Sequence, residues 1–236
     1  MKSPGEVGDL DHARIWDLPV RLFHWSLATT LAGSWLTHEL GTAWMEWHVR
    51  LGYAALALVT FRLLWGFLGP RHSRFSSFLR GPRTVFEYVK AGFAGQLQEH
   101  PGHNPLGGWA ILAMLVSVSA QGVSGLFQAD DFLTEGPWHH AAPKWLRETM
   151  HEVHEANFAL LATLILFHLS AVAVYRWRLK SDLIAGMITG MRRVPPNEGI
   201  NSDRLWLATL AAVAAALVVW GAIAIAPVPD PGALYF

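Results

Sequence analysis

The chain has 236 residues, of which 52% are hydrophobic and only 15% charged, and it contains no cysteine. Acidic and basic residues are equal in number, so the formal net charge is zero, which argues against nucleic acid as a partner. The lack of cysteine excludes disulfides, cysteine-ligated iron–sulfur clusters and covalently attached c-type haem. A chain this apolar, with 12 tryptophans, is typical of a membrane-embedded protein.

Five stretches are long and apolar enough to cross a bilayer core, which takes roughly 20 helical residues. They are predicted at 21–38, 47–68, 106–127, 154–175 and 205–226. Histidines and Arg62 lie in or beside the first four, whereas the fifth carries neither charge nor histidine. We therefore predict an all-α fold, with an integral membrane four-helix bundle over residues 1–193. A linker, a fifth transmembrane helix and a short outer tail follow over residues 194–236.

Basic residues are concentrated in alternate connecting segments. They precede the first span, fill the loop between the second and third spans, and follow the fourth. Because short cytoplasmic loops retain Lys and Arg, these segments are predicted to be cytoplasmic. The prediction is a multi-pass protein of the bacterial inner membrane, with its N-terminus in the cytoplasm and its C-terminus in the periplasm. The outer loop before the fourth span carries Asp130, Asp131 and Glu135.

Four histidines lie near the ends of these spans, where ionisable residues are costly and usually functional. His24 and His168 fall at the inner level, and His48 and His154 fall at the outer level. His154 and His168 are 14 residues apart, which is about 21 Å and nearly four whole turns of an α-helix, so both face the same way. The sequence therefore predicts two opposed imidazole pairs, one near each membrane surface.

An imidazole on each side of one iron makes a six-coordinate b-type haem, an electron carrier without an open position for oxygen. The two pairs thus predict two stacked b haems, with these four histidines as the axial ligands of the iron. A histidine at a helix end also snorkels to the interface or caps a carbonyl in many proteins, and that alternative applies to each of the four. His151, one turn before His154, stays open as the alternative outer ligand.

Several segments of the chain together carry a resemblance to a known family. They are RIWDLPVRLFHWSL, RLLWGFLGPRHSRFSSFL, GHNPLGGW, the HE…H run of the fourth span and DLIAGMITGMRR. The set resembles the bacterial cytochrome b561 family, which includes the membrane cytochrome b subunits of nickel–iron hydrogenases, over about residues 14–193. The resemblance implies a four-helix bundle with two b haems that passes electrons between a periplasmic partner and the quinone pool. The family's ligands fall on the same four histidines.

Further residues near the inner side are candidates to bind haem propionates or a quinone. They are Arg21, Arg62, Arg71, Arg74 and His103. Arginine suits a bidentate anionic partner, although the arginines would also serve as positive-inside topology residues. His103 is a candidate to hydrogen-bond a propionate or a quinone carbonyl, or only to tether the turn before the third span.

The predicted outer partner is a redox protein, either a c-type cytochrome drawn to the acidic outer loop or a dehydrogenase or hydrogenase subunit. Two other functions stay open. The first is a stand-alone enzyme that oxidises a small reductant such as superoxide and reduces quinone. The second is a non-redox membrane anchor or transporter that uses its histidines for proton relay or metal passage.

A short amphipathic helix is predicted between the second and third spans. The segment TVFEYVKAGFAG places Val85, Tyr88, Val89 and Phe93 at helical spacing. Such a helix is expected to lie on the membrane surface.

Overall fold

A computed structural model describes residues 11–96, 100–129, 134–195 and 197–227. The described residues are mostly helical, as the sequence predicts. Asp130 and Asp131 of the acidic outer loop lie outside the described residues, as does the end of the predicted outer tail.

The helices, in chain order, are α1 (Leu18–Glu39), α2 (Met45–Leu68), α3 (Phe75–Phe78), α4 (Pro82–Phe93), α5 (Pro105–Gly125), α6 (Lys144–Arg178), α7 (Leu183–Thr189) and α8 (Leu205–Ala224). Single 3₁₀ turns at Thr42–Trp44 and Arg71–Ser73 precede α2 and α3. Strands β1 (Asp11–Arg14) and β2 (Met191–Val194) pair antiparallel, with Asp11 opposite Val194. The all-α prediction omitted this small sheet, because four-residue strands are too short to show a clear alternation of apolar and polar residues.

Three helices begin at a side chain that caps the first turn. Asp17 accepts a hydrogen bond from the Val20 amide at 2.9 Å, and Asn104 accepts one from the Gly107 amide at 2.6 Å. Asp182 caps α7 in the same way. In α1 and α5 a proline in the first turn reinforces the start, because its fixed φ suits a helix and it has no amide to leave unpaired.

Four helices in the described part of the chain are long and apolar enough to cross a membrane, by length and composition alone. They are α2 with its preceding turn, α5, α6 and α8. The first predicted span falls on α1, which has 22 residues but is interrupted by Ser, Thr and His. Two of its threonine hydroxyls bond to their own helix: Thr29 Oγ1 donates to the Trp25 carbonyl at 2.9 Å, and Thr37 Oγ1 donates to the Gly33 carbonyl at 2.8 Å. A membrane crossing by α1, and with it the total of five spans, therefore stays a prediction.

Helix α6 is the longest helix and begins earlier than predicted. It has 35 residues and starts at Lys144, whereas the apolar sequence starts only near His154. At 1.5 Å per residue it is about 52 Å long, well beyond a bilayer core of about 30 Å. The prediction used hydropathy, which locates the start of the apolar sequence. The helix itself begins before that point, in a polar segment.

The helices pack in a series in which α2 is central. α1, α5 and α8 each pack against α2, and α6 packs against α5. The buried core lies along this series and includes Val59 and Trp65 of α2 and Leu115 and Val118 of α5. By contrast, Leu161 is the single fully buried residue of α6 in the described chain.

Helix α8 is attached to the bundle along its length and near both of its ends. It packs on α2 through Ala208, Ala211 and Ala215, whose small side chains are buried. Arg204 Nη1 donates to the Leu68 carbonyl at 2.9 Å, just before the helix begins. Toward the other end, Trp138 Nε1 donates to the Ala222 carbonyl at 2.9 Å. The fifth predicted helix is thus part of the bundle.

The basic segments of the chain meet at one end of the bundle. The β1–β2 pairing joins the start of the described chain to the segment after α6. Arg71 forms an ion pair of 3.2 Å with Glu198, and Arg192 donates to the His100 carbonyl at 2.9 Å. We call this the basic end; it carries Arg14, Arg21, Arg71, Arg74, Arg80, Arg83, Lys90, Arg176, Arg178, Lys180, Arg192, Arg193 and Arg204.

Candidate functional site

The four predicted histidines meet as two pairs in the bundle. His24 of α1 faces His168 of α6, with ring centroids 6.3 Å apart. We call this the inner pair, because it lies nearer the basic end. His48 of α2 faces His154 of α6, with ring centroids 6.4 Å apart. We call this the outer pair, because it lies farther from the basic end. Two imidazoles bonded to opposite sides of one metal ion, each through a nitrogen at about 2 Å, have ring centroids roughly 6 Å apart. Each pair therefore has the spacing of two axial ligands.

Each pair joins helices that do not pack closely on one another. Among the described residues, neither α1 with α6 nor α2 with α6 is a closely packed helix pair, whereas α5 packs on both α2 and α6. Two rings held at this separation across loosely packed helices fit a planar group that lies between them. The donor set and the helix arrangement both suit a porphyrin.

The outer pair is held in one orientation by hydrogen bonds. His48 Nδ1 donates to the Ser34 carbonyl at 2.8 Å, so Nδ1 carries the proton and Nε2 keeps a free lone pair. His154 Nδ1 lies 3.1 Å from Ser124 Oγ, and that hydroxyl donates its own proton to the Gln121 carbonyl. Ser124 therefore accepts from His154 Nδ1. Both rings present a bare Nε2, which is the form that ligates a metal.

A polar network inside the membrane continues from His154. Asn157 Nδ2 donates to Gln121 Oε1 at 2.6 Å and to the Ser117 carbonyl at 2.9 Å. Gln121 Nε2 in turn donates to the His154 carbonyl at 3.0 Å. This network was not predicted from the sequence. Its signal is the helical spacing of Ser117, Gln121 and Ser124, which places three polar residues on one face of an apolar helix.

His151 lies outside this arrangement. Its side chain is exposed, Nδ1 bonds Gln128 Oε1 at 2.9 Å, and Nε2 lies 3.4 Å from Glu155. His154 faces His48 in the structure and His151 does not.

Unpartnered buried nitrogens lie toward the basic end of the bundle. In the described residues, four buried side-chain nitrogens have no hydrogen-bond partner: Arg21 Nε, His24 Nδ1, Arg62 Nη1 and His103 Nδ1. Buried polar atoms normally have partners, so each such atom calls for an explanation. All four belong to residues that the sequence singled out as ligands or as candidates to bind an anion or a quinone.

Arg62 and His103 lie together beneath the inner pair. The Arg62 side chain is only 2% exposed, and its guanidinium lies 5.0 Å from the Phe75 ring centroid and 5.9 Å from that of Phe78. The His103 ring lies 4.8 Å from Phe78. Burial, together with the charge of Arg62, lowers the pKa of His103 to about 3, so this histidine is neutral at physiological pH. The two side chains offer N–H donors to an anion or a carbonyl.

The other candidate arginines are placed differently. Arg21 donates through Nη1 to the Ile188 carbonyl and lies where α1 meets α7. Arg71 is exposed and paired with Glu198, and Arg74 is exposed just before α3. Thus the structure brings Arg62 and His103 together but leaves Arg71 and Arg74 at the surface.

A buried carboxylate that was not predicted from the sequence supports this end of the site. Asp17 is fully buried and accepts hydrogen bonds from Trp65 Nε1 at 3.0 Å, from Ser73 Oγ and from the Val20 amide. It therefore ties the start of α1 to the end of α2, near the level of Arg62.

The fold and these pairs define a multi-pass helical membrane protein with paired intramembrane histidines. The sequence profile of the family described as prokaryotic cytochrome b561 matches residues 15–190, about three quarters of the chain. The chain belongs to this family, which confirms the resemblance drawn from its motifs. It is accordingly a membrane b-type cytochrome of electron transfer that binds b-type haem. No curated protein matches the chain.

Proposed function

We propose that this cytochrome holds two b haems and conducts electrons across the membrane between a periplasmic redox protein and the quinone pool. The proposal rests on the two histidine pairs. The ring centroids are 6.3 Å apart in the inner pair and 6.4 Å apart in the outer pair. The inner haem would be ligated by His24 and His168, and the outer haem by His48 and His154.

Two histidines alone make a poor site for a bare metal ion. No group of three or more His, Asp or Glu side chains in the described part of the chain is placed to hold one. Structural metal sites take four or more ligands, whereas a porphyrin supplies four nitrogens and needs only the two axial positions. The pairs therefore favour haem over passage or storage of a free metal.

The separation of the two pairs supports transfer across the membrane. Their α6 members are 14 residues apart, about 21 Å along a helix, in a bilayer core of about 30 Å. Bound haem would supply reversible one-electron chemistry, and with two histidines as its protein ligands it would have no open position for oxygen. The role that fits is an electron carrier with sites near both surfaces.

The protein's own residues would fix and tune these sites. Ser34 and Ser124 orient the outer imidazoles through Nδ1, and Arg62 and His103 present buried donors to the propionates of the inner haem. Arg21, whose Nε is also unpartnered, is a candidate to bind a propionate or the quinone.

The proposed orientation puts the basic end in the cytoplasm, because Lys and Arg are retained on that side. Helix α1 then forms the first of five spans, the N-terminus lies inside, and the C-terminus lies in the periplasm of the bacterial inner membrane. The periplasmic partner would be a c-type cytochrome or a dehydrogenase or hydrogenase subunit.

The test is an absorbance spectrum of detergent-purified protein, oxidised and dithionite-reduced, with the pyridine haemochrome assay for haem per chain. Two b haems with low-spin α bands are expected. One haem would show that one of the pairs is wrong. A colourless protein after haem-supplemented expression would overturn the proposal and favour the anchor or transporter.

A further inference from the structure

Helix α4 carries an apolar face that the bundle does not cover. None of its twelve residues is fully buried, and Phe86 and Phe93 are 70% and 92% exposed. These phenylalanines are seven residues apart, about two helical turns, so they lie on the same side of α4. Exposed aromatic side chains aligned on one face mark a surface that meets an apolar partner.

The opposite side of α4 is fixed to the bundle. Tyr88, about 160° around the helix from Phe86, has its hydroxyl 2.5 Å from that of Tyr175 near the end of α6. Asn104 Nδ2, at the start of α5, donates to the same Tyr175 hydroxyl at 2.6 Å. The predicted apolar face grouped Tyr88 with Phe93. In the structure Tyr88 contacts α6, and the exposed apolar face carries Phe86 with Phe93.

The Tyr88 hydroxyl is uncharged in this contact. Burial, and then the hydrogen bond to Tyr175, raise the pKa of Tyr88, so its hydroxyl stays protonated at physiological pH. Because Asn104 and Tyr175 lie at helix ends, α4 is held at the level where two of the candidate spans end.

Cations flank the exposed phenylalanines. Lys90 and Arg83 lie within about 60° of Phe86 around the helix. The Arg83 side chain is 92% exposed, although it is also 3.0 Å from Glu87 Oε1. Arg74 and Arg80, just ahead of α4, are exposed too. An apolar face with bordering cations is complementary to the acyl chains and anionic head groups of a membrane leaflet.

We propose that α4 lies in the interface of the leaflet at the basic end, with Phe86 and Phe93 among the acyl chains and Arg83 and Lys90 at anionic head groups. The helix would then brace the ends of α5 and α6 against the membrane surface. This inference is independent of the number of haems.

The absence of cysteine makes the test direct, since single cysteines can be labelled without background. We would prepare Phe86→Cys, Phe93→Cys and, as the matched control on the other side of α4, Thr84→Cys. Each would carry a nitroxide spin label in nanodiscs of phosphatidylcholine with phosphatidylglycerol. Haem absorbance would check that every variant retains its fold, which is expected because all three positions are exposed.

The readout is the collision rate of each label with apolar oxygen and with a water-soluble nickel chelate. We expect oxygen to dominate at positions 86 and 93 and nickel to dominate at position 84. Nickel access at all three positions would overturn the proposal by placing α4 in water. Protection of positions 86 and 93 from both reagents would also overturn it, because a second copy or another protein would then cover the face.

A second experiment tests the head-group contacts. The Phe93→Cys label should lie deeper when phosphatidylglycerol is present than in phosphatidylcholine alone. Arg83→Gln with Lys90→Gln should remove that dependence, whereas Lys144→Gln, far from the basic end, should keep it. An unchanged lipid dependence in the double variant would contradict the assigned role of these cations.

Discussion

His48 donates a hydrogen bond from Nδ1 to the backbone carbonyl of Ser34, at 2.8 Å, and so links α2 to α1. Because a carbonyl oxygen only accepts, the bond sets the tautomer of the ring and directs Nε2 toward His154. Because the acceptor is a backbone carbonyl, substituting the Ser34 side chain would leave it in place. The equivalent bond at His154 uses the Ser124 hydroxyl and can be removed by mutation.

Ser124→Ala should weaken haem binding at the outer pair. Removing the acceptor of His154 Nδ1–H frees the ring to rotate and lowers its basicity, and changes of this kind cost roughly ten- to a hundredfold in metal affinity. Haem per chain and a potentiometric titration of the α bands would measure the effect. Ser124→Thr keeps the hydroxyl and should restore the wild-type values; equal losses in both variants would instead indicate a packing defect.

His154→Ala should lose one of the two proposed haems, whereas His151→Ala should keep both. The difference follows from geometry, because His154 faces His48 while His151 bonds Gln128 at the surface. Pyridine haemochrome quantification and low-temperature reduced spectra would separate the variants. Loss of haem in His151→Ala with retention in His154→Ala would reverse the assignment.

Arg62→Met should lower the midpoint potential of one haem, on the order of tens of millivolts. Reduction places an additional electron at the iron, and a buried cation stabilises that state, so its removal favours the oxidised form. Arg62→Lys keeps the charge and should move the potential less. Arg71→Gln is the surface control, since Arg71 is exposed and paired with Glu198. Unchanged potentials in Arg62→Met would place the haem edge away from this side chain.

Asp17→Ala should destabilise the protein by about 2–4 kcal/mol. The substitution removes a helix cap and leaves the buried Trp65 indole N–H without an acceptor. Asp182→Ala provides the matched control, because Asp182 caps α7 but is exposed and holds no buried donor. Its cost should be about 1 kcal/mol or less. Thermal unfolding in one detergent would compare them, and similar shifts would contradict the role given to the Trp65 bond.

The histidine pairing was predictable because helix geometry is periodic. A separation of 14 residues on one continuous helix fixes both the depth and the facing direction of His154 and His168. The position of His24 and of His48 near the start of its apolar stretch then gives the depth of each histidine in the membrane. This prediction needs no knowledge of the loops, and the structure pairs the four rings in the predicted way.

Other parts of the site depend on chain reversals that periodicity does not describe. Ser34 and His48 meet only because the chain turns between α1 and α2. Arg62 and Arg71 are close in sequence, yet their surroundings differ. Arg62 is buried within α2, whereas Arg71 is exposed just beyond the end of that helix. The β1–β2 pairing joins residues about 180 positions apart, a separation for which local sequence carries no signal.

The match to the family ends at residue 190, so α8 lies beyond the shared sequence although it is built into the bundle. Its alanines pack on one flank of α2, so this flank contacts protein, whereas in a chain without such a helix it would face lipid. The fifth helix should therefore leave a trace in α2 itself. Among homologues, this flank of α2 should carry residues shaped for a neighbouring helix only where a C-terminal helix follows. Comparing that flank between longer and shorter chains would show whether the two helices evolved together.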